Sequence, residues 1–311
     1  MRILVIGDGS IGRRHAANLV DLGAEVAHRP WRGFAEDEPD GAGFDGVVIA
    51  TATDVRLAPI AFAARHGLPV YVEKPLAFDA ATLAAIEEMT RPVAARSMLG
   101  YMMRYHPAFR HLVAMDLGDI YRARFEIGHD VRKWRQNWTF ADSYAARAPG
   151  GGVLLDLCHE LDMAQALFPG LVAGAVACLG HEDFPGVDFS TEITLTPAGA
   201  GPVATVAMDY LSPVFLRRLA LRGTRHTVEF DLHSEHYLIA RDGEWEQLSL
   251  PFERNEMFLA AMRDFLALVG GAPVSDVERL PRLDLALPSA RAVVEAWQAR
   301  SFVGRIEGDY A

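Results

Sequence analysis

Three glycines, spaced Gly7-Asp8-Gly9-Ser10-Ile11-Gly12, narrow the fold of this chain more than any other feature, because the apolar run Ile3–Ile6 precedes them and a helical segment follows. A strand that turns at once into a helix uses the first glycine for the tight turn and the second for close approach of a ligand. The third lets the helix pack on the sheet. The helix start then offers free amides and partial positive charge to a phosphate. Gly7, Gly9, Ser10, Ile11 and Gly12 are therefore the expected pyrophosphate cradle of a dinucleotide, with FAD a rival to a nicotinamide for the same turn.

The pattern that follows agrees with such a start. From Arg2 to about Leu117, short β-branched runs alternate with Ala-rich segments, the mark of βαβ units. Strands are predicted at Ile3–Ile6, Glu25–His28, Val47–Ala50, Val70–Val72 and Ala94–Leu99. Helices are predicted at Ile11–Leu22, Leu57–His66 and Ala80–Met89, the last capped by Asp79. After Gly118 the period becomes two: Tyr121, Ala123, Phe125 and Ile127 alternate with Arg122, Arg124 and Glu126. The same alternation returns in Glu192–Thr196 and Thr227–Leu232, with further runs at Val203–Tyr210, Leu216–Leu221 and His236–Ala240. One helix is predicted from about Val153 to Phe168, and two more near Asn255–Leu268 and Pro281–Ala299. The fold class is α/β: an N-terminal Rossmann doubly wound parallel sheet over residues 1–117, then an α+β domain over 118–311 with a large, mostly antiparallel open sheet.

A length of 311 residues, half of them hydrophobic, suits two domains. Thirty Lys and Arg against 41 Asp and Glu leave a formal charge of -11, which repels a phosphate backbone and argues against a nucleic-acid partner. Two cysteines, Cys158 and Cys178, suit a reducing compartment. The opening strand-like run is too short for the core of a signal peptide, and no later run reaches the roughly 18 apolar residues of a membrane span. A cytoplasmic protein without a membrane partner is expected. His233 and His236 flank Glu235, but their offset puts them on opposite faces of a strand, so no metal is expected there.

Several side chains carry possible chemistry. Near the end of the second strand, where NAD enzymes place a carboxylate for the ribose, this chain reads Ala27-His28-Arg29-Pro30-Trp31-Arg32. Arg29 or Arg32 could meet a 2'-phosphate, which points to NADP rather than NAD; their alternative is a solvated loop charge. Lys74, in Val70-Tyr71-Val72-Glu73-Lys74-Pro75, leaves a buried strand at the carboxyl edge, where parallel sheets bind ligands. Its ammonium would stabilise a developing alkoxide. In Gly150-Gly151-Gly152…Asp156…His159, a continuous helix would put Asp156 and His159 about 60° apart, opposite a stripe of Leu154, Leu157, Leu161, Ala164 and Phe168. His159 would take a hydroxyl proton and Asp156 would orient it or hold the substrate. Tyr101, Arg104 and His106 could read substrate hydroxyls or serve as hinge packing. Trp134, Arg135 and Trp138, with Tyr144 and Arg147, could stack a sugar or a base, or anchor a domain interface.

Taken in order, these blocks resemble Gfo/Idh/MocA oxidoreductases: the glycine turn with His15, Ala50-Thr51-Ala52-Thr53, Glu73-Lys74-Pro75, Gly100-Tyr101-x-x-Arg104-Tyr105-His106-Pro107, and GGG…Asp156…His159-x-x-Asp162. The Leu-Cys-His-Glu-Leu-Asp form is similar to a subgroup associated with nucleotide-sugar and surface-glycan pathways. The resemblance implies an NAD(P)-dependent dehydrogenase that moves a hydride to or from a secondary alcohol of a sugar, sugar nucleotide or inositol-like substrate. By position it implies Lys74 and His159 as catalytic groups with Asp156 as acidic partner, and Thr51, Thr53, Glu73 and Lys74 beside the cofactor. It also implies that the open sheet forms a homodimer or homotetramer contact. Arg56 stands where many members carry a histidine, Met102 where an asparagine is common, and Asp156 is three rather than four residues before His159. A redox-neutral NAD-dependent glycosidase and a non-catalytic nicotinamide sensor are the alternatives.

Overall fold

Ile3–Ile6 are wholly buried because their strand, β1 (Arg2–Ile6), lies inside a parallel sheet. A computed structural model of the chain describes residues 1–34, 37–133, 139–232, 236–274 and 279–310. By contacts between segments the chain divides into two compact units, residues 1–106 with 252–290 and residues 107–251 with 291–311.

In the first unit, α1 (Ser10–Asp21) follows β1, and then come β2 (Glu25–Arg29), β3 (Gly46–Ile49), α2 (Leu57–Arg65), β4 (Val70–Val72), α3 (Ala80–Thr90) and β5 (Met98–Leu99). The strands are parallel in the order β2-β1-β3-β4-β5. The chain leaves β1 toward β2 and returns past it to β3, so the connections diverge where β1 and β3 end, opening the crevice that ligands use in such sheets. Asp79 caps α3 as expected, its Oδ1 accepting the Thr82 amide at 2.8 Å. The fifth strand is shorter than predicted. Pro92 at the start of Arg91–Arg96 favours a 3-10 helix there, so only Met98–Leu99 joins the ladder.

The second unit opens with α4 (Pro107–Ala114) and β6 (Ile120–Gly128). It continues through α5 (Val153–Asp156), α6 (His159–Leu167), β7 (Leu171–Gly180), β8 (Ser190–Pro197), β9 (Val203–Asp209), β10 (Leu216–Gly223), β11 (His226–Asp231), β12 (His236–Arg241) and β13 (Glu244–Leu248). With β14 (Arg300–Arg305) these strands make one sheet in the order β13-β12-β11-β10-β6-β9-β8-β7-β14. Its neighbours are antiparallel except β6 with β9 and β7 with β14. Along β6 the predicted alternation holds from Arg122 to Ile127, with Ala123, Phe125 and Ile127 buried and Arg122 and Arg124 exposed, but Tyr121, expected on the apolar face, is 53% exposed. Helices α5 and α6 pack against β6, β8 and β9.

Helix α7 (Arg254–Val269) belongs to the first unit, not to the second as its place in the sequence suggested. It buries Met257, Phe258, Ala261, Met262 and Phe265 and packs along α1, where the Asn255 amide donates to Asn18 Oδ1 at 2.9 Å. Each large apolar side chain so buried contributes roughly 1.5–3 kcal/mol, enough to hold a segment distant in sequence. Helix α8 (Leu283–Gln298) follows, with Pro288 inside it. Among the described residues no helix is long and apolar enough to cross a membrane.

Candidate active site

The glycine turn is built as its spacing demands. Gly7 has φ +120°, and a Cβ there would collide with the Ala50 carbonyl; one on Gly12 would collide with the Gly7 carbonyl. Both are fixed by packing. At Gly9 a Cβ would meet nothing within 4 Å, and Gly9 caps α1 without a side-chain hydrogen bond. Open space in front of an uncapped helix start fits a pyrophosphate. Gly9→Ala is therefore expected to leave the melting temperature unchanged while weakening dinucleotide binding about tenfold or more. Gly12→Ala should instead destabilise the protein by about 1–3 kcal/mol. Calorimetry with dinucleotide titration separates the two, and undiminished affinity in Gly9→Ala would exclude this cradle.

At the end of β2 the structure adds a contact that lies beyond the stretch read in the sequence. No carboxylate follows the strand within Ala27–Arg32, yet Asp37 returns to it: the Arg29 guanidinium donates to the Asp37 carboxylate and to its carbonyl, each at 3.2 Å. Arg32 lies over the Trp31 ring, 5.0 Å from its centroid. The Arg29–Asp37 pair is solvated on both sides and so is weak enough for a ligand to part.

The ends of β3 and β4 hold the next group. Thr51 is buried and Thr53 opens a short 3-10 turn. Glu73 is paired with His15 of α1, whose Nε2 lies 2.7 Å from Glu73 Oε1. Lys74 follows, half-buried, with Lys133 the only other lysine of the chain. Arg56, treated in the sequence only as a departure from a pattern, proves to be a buried fastener of these loops. It donates to the carbonyls of Thr51, Glu73 and Pro75. Tyr101, Arg104 and His106 are buried within the first unit: Arg104 donates to Ser289 Oγ at 3.2 Å, and His106 packs on Phe252 with ring centroids 4.2 Å apart.

In the second unit the predicted single helix is two. It breaks at Leu157 and Cys158, so Asp156 ends α5 and His159 begins α6. The 60° relation drawn from a continuous helix fails. Neither residue lies on a solvated face, since Asp156 and His159 are 4% and 7% exposed. Asp156 accepts the Tyr144 hydroxyl on Oδ1 at 2.5 Å and the Tyr210 hydroxyl on Oδ2 at 3.1 Å. Burial, and then the Asp156 charge, push the Tyr210 pKa well above its ordinary value, which keeps this phenol a donor. His129 faces the same group; burial lowers its pKa, against the opposing pull of Asp156. The next helical residue is held as firmly: Glu160 Oε1 accepts from Arg217 Nε at 2.6 Å, both side chains buried.

The glycines before α5 receive two chain segments. A Cβ on Gly151 would strike the carbonyls of Tyr144, Ala145 and Arg147, and one on Gly152, at φ +98°, would strike the Asp188 carboxylate. Asp188, wholly buried, caps α5 by accepting the Leu154 amide at 2.9 Å, takes the Thr191 hydroxyl at 2.6 Å, and pairs with Arg300 of β14 at 2.8 Å. Sequence reasoning missed Asp188, Arg300, Tyr210 and His129. An aspartate set between Val187 and Phe189 was the one local signal of a buried charge. Tyr144 is 43% exposed, and Arg147 lies on the exposed turn before the glycines. Trp134, Arg135 and Trp138 lie outside the described residues, as do His233 and Glu235; among the described residues no three His, Cys, Asp or Glu side chains group to hold a metal.

Comparison with known proteins adds a family match, two relatives and one structural neighbour. Residues 108–229 match the family model of the GFO/IDH/MocA C-terminal domain. A scyllo-inositol 2-dehydrogenase (NAD(+)) of Bacillus subtilis is 27% identical over 203 residues, 58% of this chain and 57% of that protein. A 2,7-anhydro-N-acetylneuraminate hydratase of Mediterraneibacter gnavus is 26% identical over 152 residues, 48% of this chain and 40% of that protein. The chain thus spans about half the length of the curated relatives it matches. In fold it is similar to a UDP-N-acetylglucosamine 3-dehydrogenase from Acidithiobacillus ferrooxidans, with a TM-score of 0.74, 22% identity and 96% of each chain covered.

Proposed function

We propose, from the match of residues 108–229 to the family model of the GFO/IDH/MocA C-terminal domain, that the chain is an NAD(P)-dependent dehydrogenase acting on a secondary alcohol of a sugar, sugar nucleotide or inositol-like substrate. The observation that carries this reading lies within the first unit, where an open glycine cradle after β1 and Lys74 after β4 share the carboxyl edge of one parallel sheet. A dinucleotide held there would supply the hydride acceptor or donor. Lys74 donates a hydrogen bond to the substrate oxygen and stabilises its negative charge as the carbon loses hydride. His159 takes the hydroxyl proton, so that loss of one hydride and one proton leaves a carbonyl. Asp156, gripped by Tyr144 and Tyr210, acts by orientation. Tyr144, Arg147 and Trp134 read the substrate, and Tyr101, Arg104 and His106, buried in the first unit, are the remaining substrate residues of this reading. The open sheet is the proposed contact of a homodimer or homotetramer.

The arginines after β2 favour NADP. A 2'-phosphate would draw Arg29 away from exposed Asp37, and Arg32, already stacked on Trp31, would face it. Arg29→Ala and Arg32→Ala are each expected to weaken NADP(H) about 10- to 150-fold, at roughly 1.5–3 kcal/mol per charged contact, and to leave NAD(H) unchanged. Asp37→Asn should strengthen NADP(H). Equal losses for both cofactors would contradict the preference.

The relative named a hydratase favours one second reading, in which oxidation and re-reduction leave no net redox change. Incubation with either oxidised dinucleotide and a panel of inositols, sugars and nucleotide sugars decides. Growing absorbance of reduced nicotinamide supports the dehydrogenase, product without reduced nicotinamide supports the second reading, and neither with any member of the panel counts against both.

A further inference from the structure

We propose that Arg56 is a positioning residue for Lys74: it grips the backbone on both sides of that lysine and so fixes where the ammonium leaves the sheet. The inference rests on the dehydrogenase reading for its kinetic consequence only. Three observations in the first unit carry it. Arg56 is 2% exposed, and its guanidinium donates to Glu73 O at 2.5 Å, to Pro75 O and to Thr51 O at 2.6 Å. Glu73 and Pro75 are the two neighbours of Lys74, so one fork spans the lysine and ties it to the loop after β3. Glu73 is also held by its side chain, through His15, and Gly100 leaves it room: a Cβ on Gly100 would stand 2.9 Å from the carboxylate.

The placement of the cation is costly. A guanidinium taken out of water loses its hydration, and Arg56 precedes α2 as its N-cap, where the helix dipole disfavours positive charge. Carbonyl oxygens offset these costs, but an uncharged side chain would incur neither. What a neutral residue could not supply is a planar, five-donor fork able to hold three carbonyls at fixed spacing. A lysine stem has four rotatable carbons, and a catalytic group displaced by 1 Å loses about 100-fold in rate, so a rigid root matters at this position.

With only Lys74 and Lys133 in the chain, the test can be read at one amine. Reductive methylation with 13C-formaldehyde labels both lysines and the amino terminus, and each gives its own NMR signal. In Arg56→Met we expect the Lys74 signal to move toward that of exposed Lys133 and Lys74 to be modified faster, with Lys133 unchanged as internal reference. Turnover should fall about 100-fold through kcat, with dinucleotide Kd unchanged. In a Lys74→Met background the same change should cost nothing further, because Arg56 acts through Lys74. Arg56→Lys should recover part of the turnover. A wild-type Lys74 signal and labelling rate in folded Arg56→Met overturns the proposal, as do losses from Arg56→Met and Lys74→Met that multiply. If Arg56→Met fails to fold, Arg56→Gln decides by the same signal: a shift supports the role and an unmoved Lys74 refutes it. The labelling needs no substrate, so a wild-type protein that turns over nothing defeats the dehydrogenase reading and still leaves the Arg56 result decisive.

Discussion

His159→Asn is expected to lower kcat by about 10²–10⁴ while dinucleotide affinity stays at the wild-type value. Asparagine is chosen over alanine because His159 is buried at the first turn of α6, where truncation would leave a cavity as well as remove the base. Asparagine keeps most of the volume and cannot accept a proton near neutral pH. Lys74→Met should produce a loss of similar size by another route, since methionine keeps the apolar stem and removes the ammonium that stabilises oxygen charge. On the proposed mechanism both groups would serve one oxygen, so the two losses should not multiply. Steady-state kinetics with dinucleotide titration measure this. Wild-type kcat in either variant would remove that residue from the chemistry.

Asp188→Ala is expected to give the largest loss of stability, about 3–5 kcal/mol and on the order of 10 °C in melting temperature. Asp188 is wholly buried and Arg300 partly so, and burial depresses the Arg300 pKa, so removing the carboxylate leaves a partly desolvated cation without its charge partner. The Leu154 amide and the Thr191 hydroxyl lose an acceptor at the same time. Because Asp188 caps the helix that ends in Asp156, turnover should fall with stability. Asp188→Asn, which keeps an acceptor oxygen, should cost less. A melting temperature within about 2 °C of wild type in Asp188→Ala would mean that the pair does not hold α5.

What the sequence discloses follows from which interactions are local. The strands β1 to β4 and helices α1 to α3 lie within a residue or two of their predicted bounds, because short apolar runs broken by glycine, proline and capping residues encode them directly. The strands left unpredicted are those without alternation. Strand β7 reads as a run of small and apolar residues, β13 is an exposed polar edge, and β14 pairs in parallel with β7 across more than a hundred residues. The return of α7 to the first unit depends on Phe258 and Phe265 finding partners on α1 and β4, which no local pattern reports. In the site, the glycine turn was legible because glycine has few other reasons to recur at that spacing. The break between Asp156 and His159 was not, since Leu157 and Cys158 carry no helix-stop signal and yield to packing on the sheet. Arg56 was visible as a residue but not as a role, because its three acceptors are backbone carbonyls, which have no letter in the sequence.

The most direct test is a crystal structure of the protein with an oxidised dinucleotide and a substrate from the panel. One substrate hydroxyl oxygen is expected within about 3 Å of both the Lys74 ammonium and a His159 ring nitrogen, with the pyrophosphate over Gly9. A bound substrate touching only one of these two side chains, or a dinucleotide whose phosphates lie away from Gly9, would contradict this expectation.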